Sequence, residues 1–396
     1  MTWNDRAQTI LSQGCNTYSK RADQNIEGVS PTHCTGVEVP GHPGFQGADG
    51  KLYADFSCGL GSNLIRFRNN FSIPSTKEVE LAERLKGLFP CIEKVKILKT
   101  GSAACEAAIR FARAWQEPKE NDRKAVIGTG YHGCSNAFIA DEDPGSGAIH
   151  EGYYKLNSLK DIFRDIHDDM MYDVNDCIRE IAAVIVEPIQ LDAGVEDQLR
   201  EIRQVCTEKN IVLIFDEVIS GFRVPKYSFA NYFGIQPDLI VLGKALGDGY
   251  PIAVLGGRAD ILETPGVFIS NTHNGEVSAI NAALETLDYL TEDKLQALWD
   301  LGAWFQKEFN AISPKVQIVG YPTRGELRGE DLPRALFIQE MAKTGINWGR
   351  PFFMHFMHTR EFLEYVLALS RQLLHAIEGG QVTLEGKMPR PIFQRN

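Results

Sequence analysis

Four places in the sequence put reactive residue types at turns. Lys244 follows Gly243 and precedes the glycine-rich run Gly247-Asp248-Gly249-Tyr250. A lysine with few solvent contacts gives up its proton more readily, which suits attack on a carbonyl carbon and Schiff-base chemistry. A lysine snorkelling from the end of an apolar strand has the same local sequence. The P-loop pattern is absent, because Ser or Thr must follow that lysine and the glycine spacing before it is wrong. Asp216 closes Ile211-Val212-Leu213-Ile214-Phe215. Such a carboxylate either caps the next turn or pairs with a protonated pyridine nitrogen, keeping a cofactor ring a strong electron sink. Glu217 beside it is read as a partner of Arg223 or of a backbone group. Gly101-Ser102 opens a helix whose N–H groups, hydroxyl and dipole suit a phosphate; Ser102 as a plain N-cap is the alternative. Tyr131-His132-Gly133 follows strand-like Ala125-Val126-Ile127, and an aromatic there either stacks on a planar cofactor or simply packs.

The elements that carry these residues read as α/β. Residues 1–50 are turn-rich, and Asp49-Gly50 leads into a short strand at Leu52-Tyr53-Ala54-Asp55-Phe56. A helix from Ser75 or Thr76 through Leu85 precedes a strand at Val95-Lys96-Ile97-Leu98, then a helix from Ser102 to Trp115 with Ala104, Ala108, Phe111 and Ala112 on one face. Strands at 182–186 and 211–215 are apolar throughout, and a third at 238–242 is apolar after Asp238, which indicates a parallel sheet covered on both faces. Gln198 to Lys209 is the crossover helix between two of them. Ligands of such sheets sit beyond the carboxyl ends of the strands, where Asp216, Lys244 and Gly101-Ser102 all fall. Later helices are expected over Val277–Leu290, Asp293–Phe309 and Arg360–Ile377. The domain plan is an N-terminal arm (1–50) shared with a small domain, a large domain (51–290) and a small α+β domain (291–396).

In order, these features are a phosphate turn, an aromatic, an acid and a lysine. With Asp216-Glu217-Val218-Ile219-Ser220-Gly221-Phe222-Arg223, Tyr232-Phe233-Gly234, Pro237-Asp238-Leu239, Leu242-Gly243-Lys244 and Leu255-Gly256-Gly257-Arg258, the chain from about residue 15 onward resembles the class III aminotransferases of pyridoxal 5′-phosphate (PLP) fold type I, the aspartate aminotransferase-like fold. Within them it is most similar to the glutamate-1-semialdehyde aminomutase branch. The resemblance implies that Lys244 carries PLP as a Schiff base and shuttles a proton, and that Asp216 bonds the pyridine nitrogen. Val218 and Tyr131 would flank the ring, with His132 beside them. Gly101 and Ser102 would hold the phosphate and Gln190, in Glu187-Pro188-Ile189-Gln190, would lie near the phenolic oxygen. Thr272, in Asn271-Thr272-His273-Asn274-Gly275, matches a threonine that reaches the neighbouring subunit's phosphate, which implies a homodimer with shared sites. The sequence departs from the family pattern at Ala103, where Glu is usual, at Glu276, where Asn is frequent, and at Leu60, where true aminomutases have tryptophan. These positions lie toward substrate, so they bear on substrate identity more than on cofactor binding.

The implied activity is ping-pong transfer of an amino group from a small-molecule amino donor to a carbonyl acceptor. An intramolecular aminomutase and a non-catalytic binding protein of the same fold are the alternatives. No GxGxxG follows the first strand, which disfavours a nicotinamide enzyme. The 396 residues exceed the roughly 250–300 at which single cores stop growing, consistent with two domains. A net charge of −11 argues against nucleic acid or an anionic membrane as partner. The 8 cysteines are scattered without a CxxC pair, as in a reduced cytoplasmic protein. No signal peptide or membrane-length apolar run is expected. His355 and His358 lack the i, i+4 spacing of a helical metal pair, and no metal is expected. Lys20 and Arg21 are read as a solvated arm or as contacts to an anionic substrate group.

Overall fold

The computed structural model describes all residues except 25–29, 56, 64–68, 117–124, 140–151, 169–171, 175–176, 189–194, 349–350, 387 and 389–396. Seven strands form its central sheet: β1 (Lys94–Leu98), β2 (Ala125–Thr129), β3 (Tyr153–Lys155), β4 (Ile181–Val186), β5 (Val212–Glu217), β6 (Leu239–Leu242) and β7 (Ala253–Gly257). Their spatial order is β1-β7-β6-β5-β4-β2-β3. Every pairing is parallel except those of β7, which runs antiparallel to both its neighbours. β4 and β5 are buried along their whole length, so their unbroken apolar runs report cover on both faces, as the sequence predicts. β3 and β7 are strands of this sheet that the sequence pattern does not announce. β7 shows why. Its last two residues are glycines, which carry no strand signal, and the partners on either side impose the extended form.

Helices α1 (Trp3–Ile10), α2 (Thr76–Leu88), α3 (Gly101–Gln116), α4 (Leu159–His167), α5 (Val195–Glu208) and α6 (Val277–Tyr289) accompany this sheet. The predicted helices at 76–85, 102–115, 198–209 and 277–290 match α2, α3, α5 and α6 to within a turn. At the start of α2, the Ser75 amide donates to Glu78 Oε1 at 2.9 Å, which satisfies a backbone group ahead of the first turn. Half of the buried residues of α3 are alanine, and Phe111 is fully buried in one cluster with Ile214, Val241 and Leu255. Small side chains let the helix lie close to the sheet, and burying Phe111 contributes about 2–3 kcal/mol.

The N-terminal arm, predicted to join the smaller domain, packs within the large unit instead. β1 is an edge strand, and the arm covers that edge. Asn16 Oδ1 accepts from the Ile97 amide at 2.7 Å, Lys96 Nζ donates to the Cys15 carbonyl at 2.9 Å, and Leu11 bridges to Val95. Covering an exposed edge in this way removes a template for unwanted pairing. Lys20 is not a solvated arm residue either: it is 3% exposed and donates to Asn70 Oδ1 at 2.6 Å.

The second compact unit comprises chiefly Glu292–Asn396, with Arg223–Pro225. Helices α7 (Glu292–Asn310), α8 (Asp331–Lys343) and α9 (Arg360–Glu378) pack on an antiparallel sheet of β8 (Val316–Tyr321), β9 (Arg324–Gly329) and β10 (Phe352–Phe353). Phe305, Phe309, Phe337 and Trp348 make an aromatic core there. Among the described residues, no helix is long and apolar enough to cross a membrane.

Candidate active site at the carboxyl ends of the strands

A cavity of ≈ 290 Å³ in the large unit is bordered by Gly101, Ser102, Tyr131, His132, Asp216, Val218 and Lys244. Seven of the nine residues singled out in the sequence therefore meet at one place. Gln190 lies outside the described residues. Thr272 does not line the cavity; it sits in the turn before α6, where its carbonyl accepts from Lys20 Nζ at 3.3 Å.

Strand register explains why Asp216 and Lys244 converge. β5 and β6 are parallel neighbours with Asp216 opposite Val241, so both residues leave the sheet at its carboxyl edge. Alternation along β5 then sends Asp216 and Glu217 to opposite faces. Asp216 turns toward α3, where its Oδ2 accepts from His132 Nδ1 at 2.9 Å and from Cys105 Sγ at 3.2 Å, while its Oδ1 accepts from the Val218 amide at 3.1 Å. Glu217 turns away and accepts from the Phe229 and Ala230 amides and from Ser220 Oγ. It is thus a partner of backbone groups, one of the two readings the sequence left open.

Cys105 is the contributor that sequence reasoning overlooked. It stands one turn after Ser102 on the sheet-facing side of α3, and that position was its only signal. Burial, then the nearby Asp216 charge, pushes its thiol well above the usual range, so it is an S–H donor. Heteroatoms of Cys105, His132 and Asp216 lie within 4.8 Å of one another. Two ordinary hydrogen bonds onto one carboxylate oxygen account for that closeness.

The phosphate turn is built differently from the simplest sequence expectation. Thr100, not Ser102, caps α3: its Oγ1 accepts from the Ala103 amide and its carbonyl from the Ala104 amide, both at 3.1 Å. Ser102 Oγ instead accepts from the Cys134 amide at 3.2 Å. The amides of Gly101 and Ser102, which no intrahelical carbonyl reaches, border the cavity with the positive end of the helix dipole. The loop opposite turns on two glycines at φ +107 and +109, Gly130 and Gly133. A Cβ on Gly133 would lie 2.2 Å from Ser102 Oγ, and one on Gly130 would lie 2.5 Å from Glu187 Oε2. Between them, the buried His132 reaches Asp216, while Tyr131 stays 46% exposed at the rim.

Lys244 departs from the expectation of few solvent contacts: it is exposed. It opens a 3₁₀ turn, Lys244–Gly247, just past β6, and stands on the open side of the cavity. Its φ of +42 is left-handed, a conformation costing a non-glycine residue roughly 1 kcal/mol or more and found often at functional sites. A second lysine, Lys99, also borders the cavity, but it is paired with Glu276 at 3.0 Å. That pairing, with help from the Ser278 amide, holds the Glu276 carboxyl below its usual range in spite of burial. The donor set fits a phosphorylated pyridine aldehyde. The helix N-terminus suits the phosphate, the acid suits a ring N–H, and a lysine stands in the same cavity.

Residues 62–360 match the model of the family described as aminotransferase class-III. The chain is 31% identical over 279 residues to a glutamate-1-semialdehyde 2,1-aminomutase of Methanococcoides burtonii, covering 62% of this chain and 65% of that one. It is 33% identical over 274 residues to the enzyme of that name from Fusobacterium nucleatum, covering 62% of each. The aligned stretch thus spans less than two thirds of these relatives' length. Among solved structures, one described as a transaminase with PLP bound superposes with a TM-score of 0.66 at 17% identity, over 96% of this chain and 97% of that one. The architecture is PLP fold type I, a mainly parallel sheet flanked by helices with a smaller α+β unit. The chain belongs to the class III aminotransferase family.

Proposed function

We propose that this protein is a PLP-dependent aminotransferase that moves an amino group from a small-molecule amino donor to a carbonyl acceptor in two half-reactions. The observation that supports this most is the meeting of Lys244, Asp216 and the N-terminus of α3 around one cavity. When bound, PLP supplies a carbonyl that condenses with amines and a ring that withdraws electrons from the adjoining carbon. Lys244 Nζ anchors the cofactor, then takes a proton from the donor carbon and returns it one position away. Asp216 Oδ1 accepts the ring N–H and holds that nitrogen charged. Gly101 and Ser102 bind the phosphate, Val218 packs on one face of the ring, and Tyr131 covers the other. Gln190 is assigned to the phenolic oxygen and Thr272 to the phosphate of a partner subunit, so the working form is a homodimer, in the cytoplasm.

An intramolecular aminomutase is the second reading, favoured by the names of the curated relatives. Supplying a ¹⁵N-labelled amine with an unlabelled carbonyl compound separates them. Transfer between separate molecules, with parallel-line double-reciprocal kinetics, is the expected result. Label that moves only within one carbon skeleton selects the aminomutase. A cofactor-loaded protein that never converts to the amine form with any donor contradicts both.

A further inference from the structure

We propose that Cys105 is a positioning residue whose thiol, acting with His132, dictates which oxygen of Asp216 meets the cofactor ring and helps keep the shared proton on the ring nitrogen. This rests on the PLP function proposed above. An ionised carboxylate offers about four acceptor positions, two on each oxygen. Here Oδ2 takes both His132 Nδ1–H, at 2.9 Å, and Cys105 S–H, at 3.2 Å, which fills it. Oδ1 takes the Val218 amide at 3.1 Å and keeps one position open. The ring N–H is therefore directed to Oδ1.

The donors also bear on where the proton shared with the ring nitrogen sits. Each hydrogen bond to a carboxylate favours its charged form, and these lie where Asp216 is only 4% and Cys105 only 1% exposed. Two buried donors on one oxygen leave the shared proton on the ring nitrogen rather than on Asp216, and a charged ring nitrogen is the better electron sink. His132 meets Asp216 Oδ2 through Nδ1 at 2.9 Å, and its buried Nε2 has no partner among the described residues, so Nδ1–H is the donor to a carboxylate that can only accept. The thiol has no competing proton equilibrium in the working range, since ionising it would set a second anion against Asp216. α3 thus presents phosphate-binding amides at its first turn and this donor one turn later, and so addresses both ends of the cofactor with a single rigid element.

The test compares Cys105→Val, which removes the donor, with Cys105→Thr, which has the same shape and restores one. Each holoenzyme is loaded with PLP labelled with ¹⁵N in the ring, and the ring resonance is followed against pH. The Val variant is expected to move toward the unprotonated pyridine position, a change of at least about threefold in the ring-proton ratio, equal to half a pKa unit. The Thr variant is expected to stay with the parent. Val and Thr variants that both match the parent, or that shift together, overturn the proposal by reducing Cys105 to packing. Should neither β-branched variant load cofactor, Cys105→Ser and Cys105→Ala make the same comparison without added volume. A parent chain that takes up no PLP sinks the proposed function, and this inference with it, and is told apart by its lack of any ring signal.

Discussion

Asp216 and Glu217 are neighbouring carboxylates with opposite surroundings. Glu217 is fully buried; burial raises its carboxyl to about 7 against the pull of three donors, and all its bonds serve the turn and helix that follow β5. Asp216 keeps an open acceptor position toward the cavity. Asp216→Asn should therefore leave the cofactor linkage to Lys244 in place while lowering kcat by roughly a hundredfold or more, the scale typical of losing one charge-stabilising group. An amide cannot accept from Val218, His132 and Cys105 together without turning its NH₂ toward a donor. Single-turnover rates on the loaded variant check this, and rates within a few-fold of the parent would remove Asp216 from its role. The lysine and the acid were legible because each ends an apolar strand, and strand ends are where open sheets place ligands. Cys105 was not legible, because a small buried residue on an alanine-rich helix looks like packing until its neighbour across the sheet is known.

Elements explain how those residues are held. The tight approach of the Tyr131–Gly133 loop to α3 depends on Gly133, so Gly133→Ala should both strain the backbone and push Ser102 aside. A loss of about 1–3 kcal/mol in denaturant unfolding is expected, with weakened PLP retention; unchanged values for both would contradict the close approach. β1 carries a different liability. Lys96 is fully buried, and burial lowers its ammonium to about 8 from 10.5. Between pH 8 and 10.5 the unfolded chain holds a proton on this lysine that the folded chain has released, so the lysine's own contribution to stability rises with pH across that window. The gain approaches about 3 kcal/mol at its upper end. Chemical unfolding at several pH values should show that rise as the difference between the parent and Lys96→Met, because buried thiols such as Cys34, Cys91 and Cys206, pushed up to about 12 by burial, pull the whole profile the other way above pH 9; a difference that falls from pH 8 to 10 would reverse the sign. The sequence marked β4, β5 and β6 through their unbroken apolar runs and α3 through its periodicity. It was silent on β7, whose glycines suppress the local signal, and it misassigned the arm, because the bonds from Cys15 and Asn16 to β1 cross some eighty residues. Long-range pairing of that kind leaves no local pattern.

At the scale of the molecule, the chain divides into two compact units, the second drawing Arg223–Pro225 from within the first, and the candidate site belongs to the first. Thr272 does not line the cavity. In the proposed dimer, Thr272→Ala should weaken PLP retention about tenfold or more, the worth of one hydrogen bond to a phosphate. Dialysis of the dimer checks this; equal retention in the variant, or in a monomeric form of the parent, would end the shared-site idea. Two lysines, Lys99 and Lys244, border the cavity, and Lys244 is the one proposed to hold the cofactor. Borohydride reduction of the PLP-loaded protein, followed by peptide mass mapping, decides it. The reduced adduct is expected on the peptide containing Lys244 and is expected to disappear in Lys244→Ala. An adduct on Lys99, or one that persists at full yield in that variant, would contradict that assignment.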